Sequence, residues 1–93
     1  MLLAQETTMA TLDWKDAVAR AVRRHRADLG ISQEELAEKS DSSRGYISRI
    51  ESGSVDLSLA VFVRLATGLG IEPWELLKDA QTTAPKKPAK KSR

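Results

Sequence analysis

The sequence contains no cysteine and one histidine, and its aromatic residues are limited to two Trp, one Tyr and one Phe. Without cysteine, neither a disulfide framework nor a thiolate metal site can hold the fold together. His25 lacks the companions that a metal site needs, so we expect a histidine at the core or its edge and no metal. Ninety-three residues fit one small domain, which is most easily built as a helical bundle.

Long apolar runs are also missing. The opening stretch 1–4 is apolar but too short for a signal sequence, and nothing later approaches the length of a membrane span. We therefore expect a cytoplasmic protein with no membrane partner. The sequence also lacks a nucleophile paired with histidine and a phosphate-cradling glycine loop, so we expect neither an enzyme nor a cofactor.

Charge is distributed unevenly along the chain. The formal net charge is +2, yet residues 81–93 carry five basic side chains and no acidic one. Residues 1–80 therefore hold ten basic and thirteen acidic side chains, a formal charge of −3. A binding face for a polyanion must then be local rather than a property of the whole domain.

Three regions are predicted: a loose arm over residues 1–12, a folded domain over 13–80, and a basic disordered tail over 81–93. The lysines of the tail serve either as a solvating extension or as non-specific phosphate contacts. Within the domain, apolar residues recur at helical spacing and no useful period-2 segment occurs. The fold class is therefore all-α, with five short helices.

Capping residues mark where these helices begin. Asp13 can cap the first, the Ser32 to Glu35 spacing is a capping box for the second, and Ser58 can cap the fourth. The first helix is expected to end near Gly30, and the fourth at Gly68 or Gly70. The apolar stripe predicted for the first helix is Trp14, Val18, Ala21, Val22 and Leu29.

The last helix is predicted to start at Pro73, a residue favoured at the first helical position. Trp74 and Leu77 are expected to fold back onto the bundle. Both tryptophans, Trp14 and Trp74, are interpreted as anchors of the core or of a dimer interface rather than as base-stacking platforms.

The second and third helices, joined by a short turn at 41–43, have the spacing of a helix-turn-helix unit. Their residues and those around them resemble the Cro and phage-repressor type of helix-turn-helix protein, the XRE family. The resemblance rests on the stretches Val22-Arg23-Arg24-His25-Arg26, Gly30-Ile31-Ser32-Gln33-Glu34-Glu35-Leu36-Ala37, Tyr46-Ile47-Ser48-Arg49-Ile50-Glu51-Ser52-Gly53, Leu65-Ala66 and Gly70-Ile71. It implies a five-helix bundle of the lambda-repressor-like type.

The resemblance also implies that residues 43–52 read the major groove of duplex DNA. The candidate readers are Ser43, Arg44, Gly45, Ser48 and Arg49. Arginine suits bidentate pairing with guanine, Gly45 permits close approach, and Ser43 can act as reader and helix cap. Gln33 is expected to contact a backbone phosphate. Leu36, Ala37, Ile47 and Ile50 are interpreted as scaffold residues that lock the two helices together.

Arg26 and Glu51 match family positions at which an arginine of the first helix pairs with a glutamate ending the third, and we assign them to a structural ion pair. The sequence also departs from the family pattern. Asp41 stands where glycine is usual, which is tolerable because aspartate adopts left-handed conformations better than most residues. Ser42 and His25 replace apolar residues that are usual at their positions.

The expected function is that of a sequence-specific regulator, a repressor or autoregulator, that binds a pseudo-palindromic operator as a homodimer. A phage repressor, a restriction-modification controller and an antitoxin with a toxin partner remain alternatives within this class. A different class also remains open, because the same fold can serve as a protein adaptor. In that case Arg44 and Arg49 would be dispensable.

Overall fold

The computed structural model describes residues 13–83, and within them it has five helices and no strand. These are α1 (Trp14–Leu29), α2 (Gln33–Lys39), α3 (Arg44–Glu51), α4 (Leu59–Leu69) and α5 (Pro73–Thr83). The predicted all-α class is confirmed. The arm over 1–12 and the tail from residue 84 onward lie outside the described residues.

The helices begin at the predicted caps. Asp13 accepts a hydrogen bond from the Asp16 amide, and Ser58 from the Val61 amide. The capping box is complete, because the Ser32 hydroxyl accepts from the Glu35 amide at 3.0 Å while the Glu35 carboxylate accepts from the Ser32 amide at 2.8 Å. Local chemistry alone therefore sets these helix starts.

The five helices share one core. α1 packs along α5 and contacts α3, while α2 packs against α3 and α4. The predicted scaffold residues are among the buried side chains, so their structural role is confirmed. The core is formed mainly by Ala17, Ala21, Val22, Leu36, Ala37, Ile47, Ile50, Leu65, Ala66, Leu69, Leu76 and Ala80.

The turn between α2 and α3 tolerates the departures from the family pattern. Asp41 has a φ of 57°, the left-handed conformation expected for it. The Ser42 amide donates to the Ala37 carbonyl at 2.8 Å, and Arg64 of α4 donates to the Ser40 carbonyl at 3.1 Å. The turn is therefore held by main-chain bonds and by a side chain from a third helix, which fixes how α3 leaves α2.

α4 ends at Gly70, whose φ is 77°. The alternative end at Gly68 is wrong, because this residue lies inside α4. A Cβ atom at Gly68 would lie 3.1 Å from the main chain of Lys39 and Ser40. The glycine is therefore needed for the close approach of α4 to the end of α2.

Three apolar residues lie elsewhere than predicted. Trp74 and Leu77 do not fold onto the bundle, since they are 62% and 47% exposed. Leu76 and Ala80, spaced four residues apart, form the buried stripe of α5 instead. Leu29 is 52% exposed because the buried residues of α1 end at Val22. α5 also continues through Thr83, three residues past the predicted domain boundary.

No helix within residues 13–83 is long and apolar enough to cross a membrane.

Candidate nucleic-acid interface

The outer face of α3 carries most of the candidate readers. Ile47 and Ile50 are buried on its inner face, whereas Arg44, Ser48 and Arg49 are exposed on the other. Because the inner face is anchored in the core, the outer face of α3 keeps a defined orientation relative to the bundle. An exposed short helix with two arginines at one end of a bundle can enter a major groove.

The N-terminus of α3 is capped by Ser43. Its hydroxyl accepts a hydrogen bond from the Tyr46 amide at 3.1 Å, and the residue stays exposed. Ser43 is therefore a helix cap, and its hydroxyl hydrogen remains available to a partner. Gly45 follows in the first turn, and a Cβ atom there would meet nothing within 4 Å. Packing within the domain thus gives no reason for a glycine at this position.

The two arginines of α3 differ in their surroundings. Arg49 places its guanidinium 5.4 Å from the centre of the Tyr46 ring, a cation–π arrangement. At an exposed site this contact contributes about 0.5–1 kcal/mol, enough to favour one orientation of the side chain. Within the part of the chain described, Arg44 forms no ion pair or side-chain hydrogen bond. Its guanidinium is therefore free to bind an external acceptor.

Arg26 and Glu51 form a bidentate ion pair at the far end of α3. Arg26 Nε lies 2.7 Å from one carboxylate oxygen of Glu51, and Nη2 lies 3.0 Å from the other. Glu51 is only 4% exposed, and its hydrogen bond is the main cause that raises the pKa of Arg26 above its usual value. The third guanidinium nitrogen of Arg26 donates to the Ile31 carbonyl at 2.9 Å. The pair therefore ties α3 to α1 and to the α1–α2 turn.

Two further side chains converge on Glu51, and sequence reasoning missed both contacts. Arg23 donates to the Glu51 main-chain carbonyl, where a cation complements the C-terminal end of a helix. Gln33 donates from Nε2 to a carboxylate oxygen of Glu51 at 3.0 Å. The only available signal for Arg23 was its position three residues before Arg26, which places both on one side of α1.

His25 is a half-buried structural histidine. Its Nε2 lies 2.5 Å from a carboxylate oxygen of Asp79, which links α1 to α5. Within residues 13–83 no cluster of three potential metal ligands occurs. The half-burial of His25 and its contact with Asp79 agree with the expectation of a histidine at the edge of the core.

α4 and α5 carry four exposed large apolar side chains, and two of them, Leu59 and Leu77, line the same cavity. Leu59 and Val63 of α4 are 76% and 39% exposed, and Trp74 and Leu77 of α5 are the other exposed members. We call these four residues the α4–α5 apolar face. A cavity of about 300 Å³ adjoins it, lined chiefly by Trp14, Val18, Ile50, Leu57, Leu59 and Phe62. Because Ile50 belongs to α3, this cavity reaches the inner side of the helix that carries the candidate readers.

A family model described as helix-turn-helix matches residues 22–76, which is more than half of the chain. The chain belongs to the helix-turn-helix family. This confirms the resemblance to the XRE type of helix-turn-helix protein. The match runs from the second half of α1 into α5, so it includes Arg26, the whole of α2 and α3, and Glu51.

Known helix-turn-helix proteins share both sequence and fold with this chain. An uncharacterized HTH-type transcriptional regulator of Methanothermobacter thermautotrophicus is 43% identical over 51 residues, 55% of this chain and 74% of the relative. The restriction-modification controller protein C.AhdI of Aeromonas hydrophila is 39% identical, with a TM-score of 0.65 over 67% of this chain and 90% of C.AhdI. These relatives are regulators, in agreement with the expectation that the chain is not an enzyme.

One structural neighbour contains DNA. C.Esp1396I bound to a 19 base pair DNA duplex is 28% identical to this chain, with a TM-score of 0.69 over 74% of this chain and 92% of C.Esp1396I. The helix-turn-helix fold of this chain is thus similar to one that binds duplex DNA.

Proposed function

We propose that this helix-turn-helix chain is a sequence-specific transcriptional regulator that binds duplex DNA as a homodimer. The observation that carries the proposal is the outer face of α3, where Arg44 and Arg49 are exposed while the inner face and the C-terminal end are anchored. Guanine O6 and N7 in the major groove accept bidentate hydrogen bonds from such arginines. Ser43, Gly45 and Ser48 complete the proposed reading surface.

The distribution of charge supports a local DNA-binding face. α2 presents exposed Glu34, Glu35 and Glu38, so its outer side would repel phosphates. The cations of α3 therefore have to meet the DNA in an orientation that keeps these carboxylates away from the backbone. This requirement restricts the orientations in which α3 can dock in the groove. Bound over a promoter, the protein would repress by blocking access to it.

The homodimer is proposed to form through the α4–α5 apolar face. A stable interface buries about 800 Å² per partner around an apolar centre, and an exposed patch of large apolar side chains supplies such a centre. Lys15 and Asp56 both border the adjoining cavity. In a two-fold arrangement, the cation of one copy can then face the carboxylate of the other. The adjoining cavity is also lined by Val55 and Leu57 of the segment that follows α3, and the proposed dimer places the two α3 helices on one side.

The test is selection from a random pool of duplexes in about 150 mM salt, followed by sequencing of the bound fraction. We expect one inverted repeat whose half-site centres lie about 34–36 Å apart. The variant Trp74→Glu should lose enrichment of the paired half-sites, because it places a charge in the apolar face. Leu29→Glu is the matched control. Leu29, the last residue of α1, is a similarly exposed apolar residue that does not belong to the α4–α5 apolar face.

Salt-sensitive binding without any enriched sequence would contradict the proposal. That result would favour the adaptor alternative, in which the α4–α5 apolar face binds another protein and Arg44 and Arg49 are dispensable. Enrichment of a single half-site by the wild type would contradict the homodimer and leave DNA reading intact. The antitoxin alternative predicts a toxin partner on the same face.

A further inference from the structure

The side-chain amide of Gln33 is directed into the protein. Its Nε2 donates at 3.0 Å to Oε1 of Glu51, the same oxygen that accepts from Arg26 Nη2. Gln33 is half-buried, and Glu51 is 4% exposed. One of the two N–H groups on this amide nitrogen thus already donates to a buried carboxylate at the end of α3.

We infer that Gln33 is a positioning residue for base discrimination that acts through Glu51, and not only a phosphate contact. The inference rests on the proposed DNA-reading function. Glu51 is the last residue of α3, and Arg49 lies only two residues before it. A contact that orients Glu51 therefore orients the part of α3 nearest to this reader.

Arg26 and Gln33 hold the carboxylate from different helices. Arg26 reaches it from α1, and Gln33 reaches it from the first residue of α2. With Arg26 alone, this end of α3 would be tied to α1 and to the α1–α2 turn. The added hydrogen bond from Gln33 ties it to α2 as well, so the angle between the two helices of the motif is held at both ends. Reading of bases demands such precision, because a misplacement of about 1 Å is enough to spoil a designed site.

The two roles predict different losses when the amide is removed. A phosphate contact is made on every sequence, so its loss weakens binding uniformly across sequences. Loss of a positioning contact instead weakens binding to the preferred sequence and leaves non-specific binding unchanged. The ratio of the two affinities therefore separates them, and a purely structural role would move the melting temperature without moving this ratio.

The experiment compares wild type with Gln33→Met, which keeps the length of the side chain and removes its hydrogen-bonding groups. Affinities are measured by titration with the duplex enriched in the selection above and with a scrambled duplex, at one salt concentration and well below the melting temperature. We expect the ratio to fall by roughly tenfold or more, as for loss of one hydrogen bond to a charged group. The affinity for the scrambled duplex should fall less than the affinity for the enriched duplex.

Glu34→Gln is the control, since it alters the neighbouring exposed residue of α2 and should leave the ratio unchanged. Gln33→Ala provides a second variant if Gln33→Met lowers the yield of folded protein. An equal loss of both affinities would overturn the inference and show a phosphate contact. An unchanged ratio with unchanged affinities would overturn it as well. Failure of the proposed function is distinguishable, because the wild type would then enrich no sequence.

Discussion

Replacing Glu51 with alanine is expected to lower the free energy of unfolding by about 3 kcal/mol, the lower end of the range for breaking a buried ion pair. The substitution leaves Arg26 without its carboxylate and Gln33 without its acceptor. Arg26 keeps 23% of its side chain exposed, so water can partly solvate the abandoned cation. For a domain of this size, the melting temperature should fall by at least about 12 °C.

Thermal and urea unfolding of the purified variant measure this effect. Glu38→Ala is the matched control, because Glu38 is an exposed glutamate in the short helix α2 and its loss should change stability by less than about 0.5 kcal/mol. Replacing both partners, Arg26→Met with Glu51→Leu, should recover much of the stability, since no charge is then left buried. A Glu51→Ala protein that melts with the wild type would reject the structural role of the pair.

Replacing Arg44 and Arg49 together with alanine is expected to reduce affinity for the selected duplex by roughly a hundredfold or more, since each bidentate contact to guanine is worth about 1–3 kcal/mol. Both side chains are exposed, so the melting temperature should stay within a few degrees of wild type. Titration of the selected duplex at fixed salt gives the affinities, because changes in salt alone alter DNA binding strongly.

The double variant Arg20→Ala with Lys39→Ala removes the same formal charge from elsewhere on the surface. Arg20 forms an exposed ion pair with Asp16, and Lys39 ends α2. This control should bind the duplex within a few-fold of wild type. Equal losses in the two double variants would mean that overall charge, rather than the face of α3, determines binding.

The sequence predicted the helices well where local chemistry decides them. The cap at Asp13 and the capping box of Ser32 and Glu35 depend on residues three positions apart, so both can be recognised directly in the sequence. The buried residues between α2 and α3, such as Leu36 and Ile47, followed from helical spacing and from the family resemblance together.

The errors occurred where two apolar stripes compete on one short helix. α5 offers Trp74 with Leu77 at a spacing of three, and Leu76 with Ala80 at a spacing of four. Either pair can face a core, and the packing of α5 along α1 selects the second. Similarly, the sequence alone suggests that Gly68 ends a helix. In the structure it lies inside α4, where a glycine is needed because the end of α2 approaches closely. Such choices depend on neighbouring helices that local pattern does not specify.

In the candidate site too, features set by the sequence of one helix were predicted, and features set by packing between helices were missed. The exposure of Arg44 and Arg49 follows from the positions of Ile47 and Ile50 on the opposite face of one helix. The contact between Gln33 and Glu51 joins residues 18 positions apart on different helices. Its geometry depends on the crossing of α2 and α3, and the sequence analysis predicted a backbone phosphate as the partner of Gln33.

The most direct test of the proposed reading by α3 is methylation interference on the selected duplex. Dimethyl sulfate methylates guanine N7, which faces the major groove, and adenine N3, which faces the minor groove. If Arg44 and Arg49 read guanines, methylation at guanine N7 should block binding at symmetric positions in both half-sites. Interference confined to adenine N3, or interference at neither position, would contradict the account.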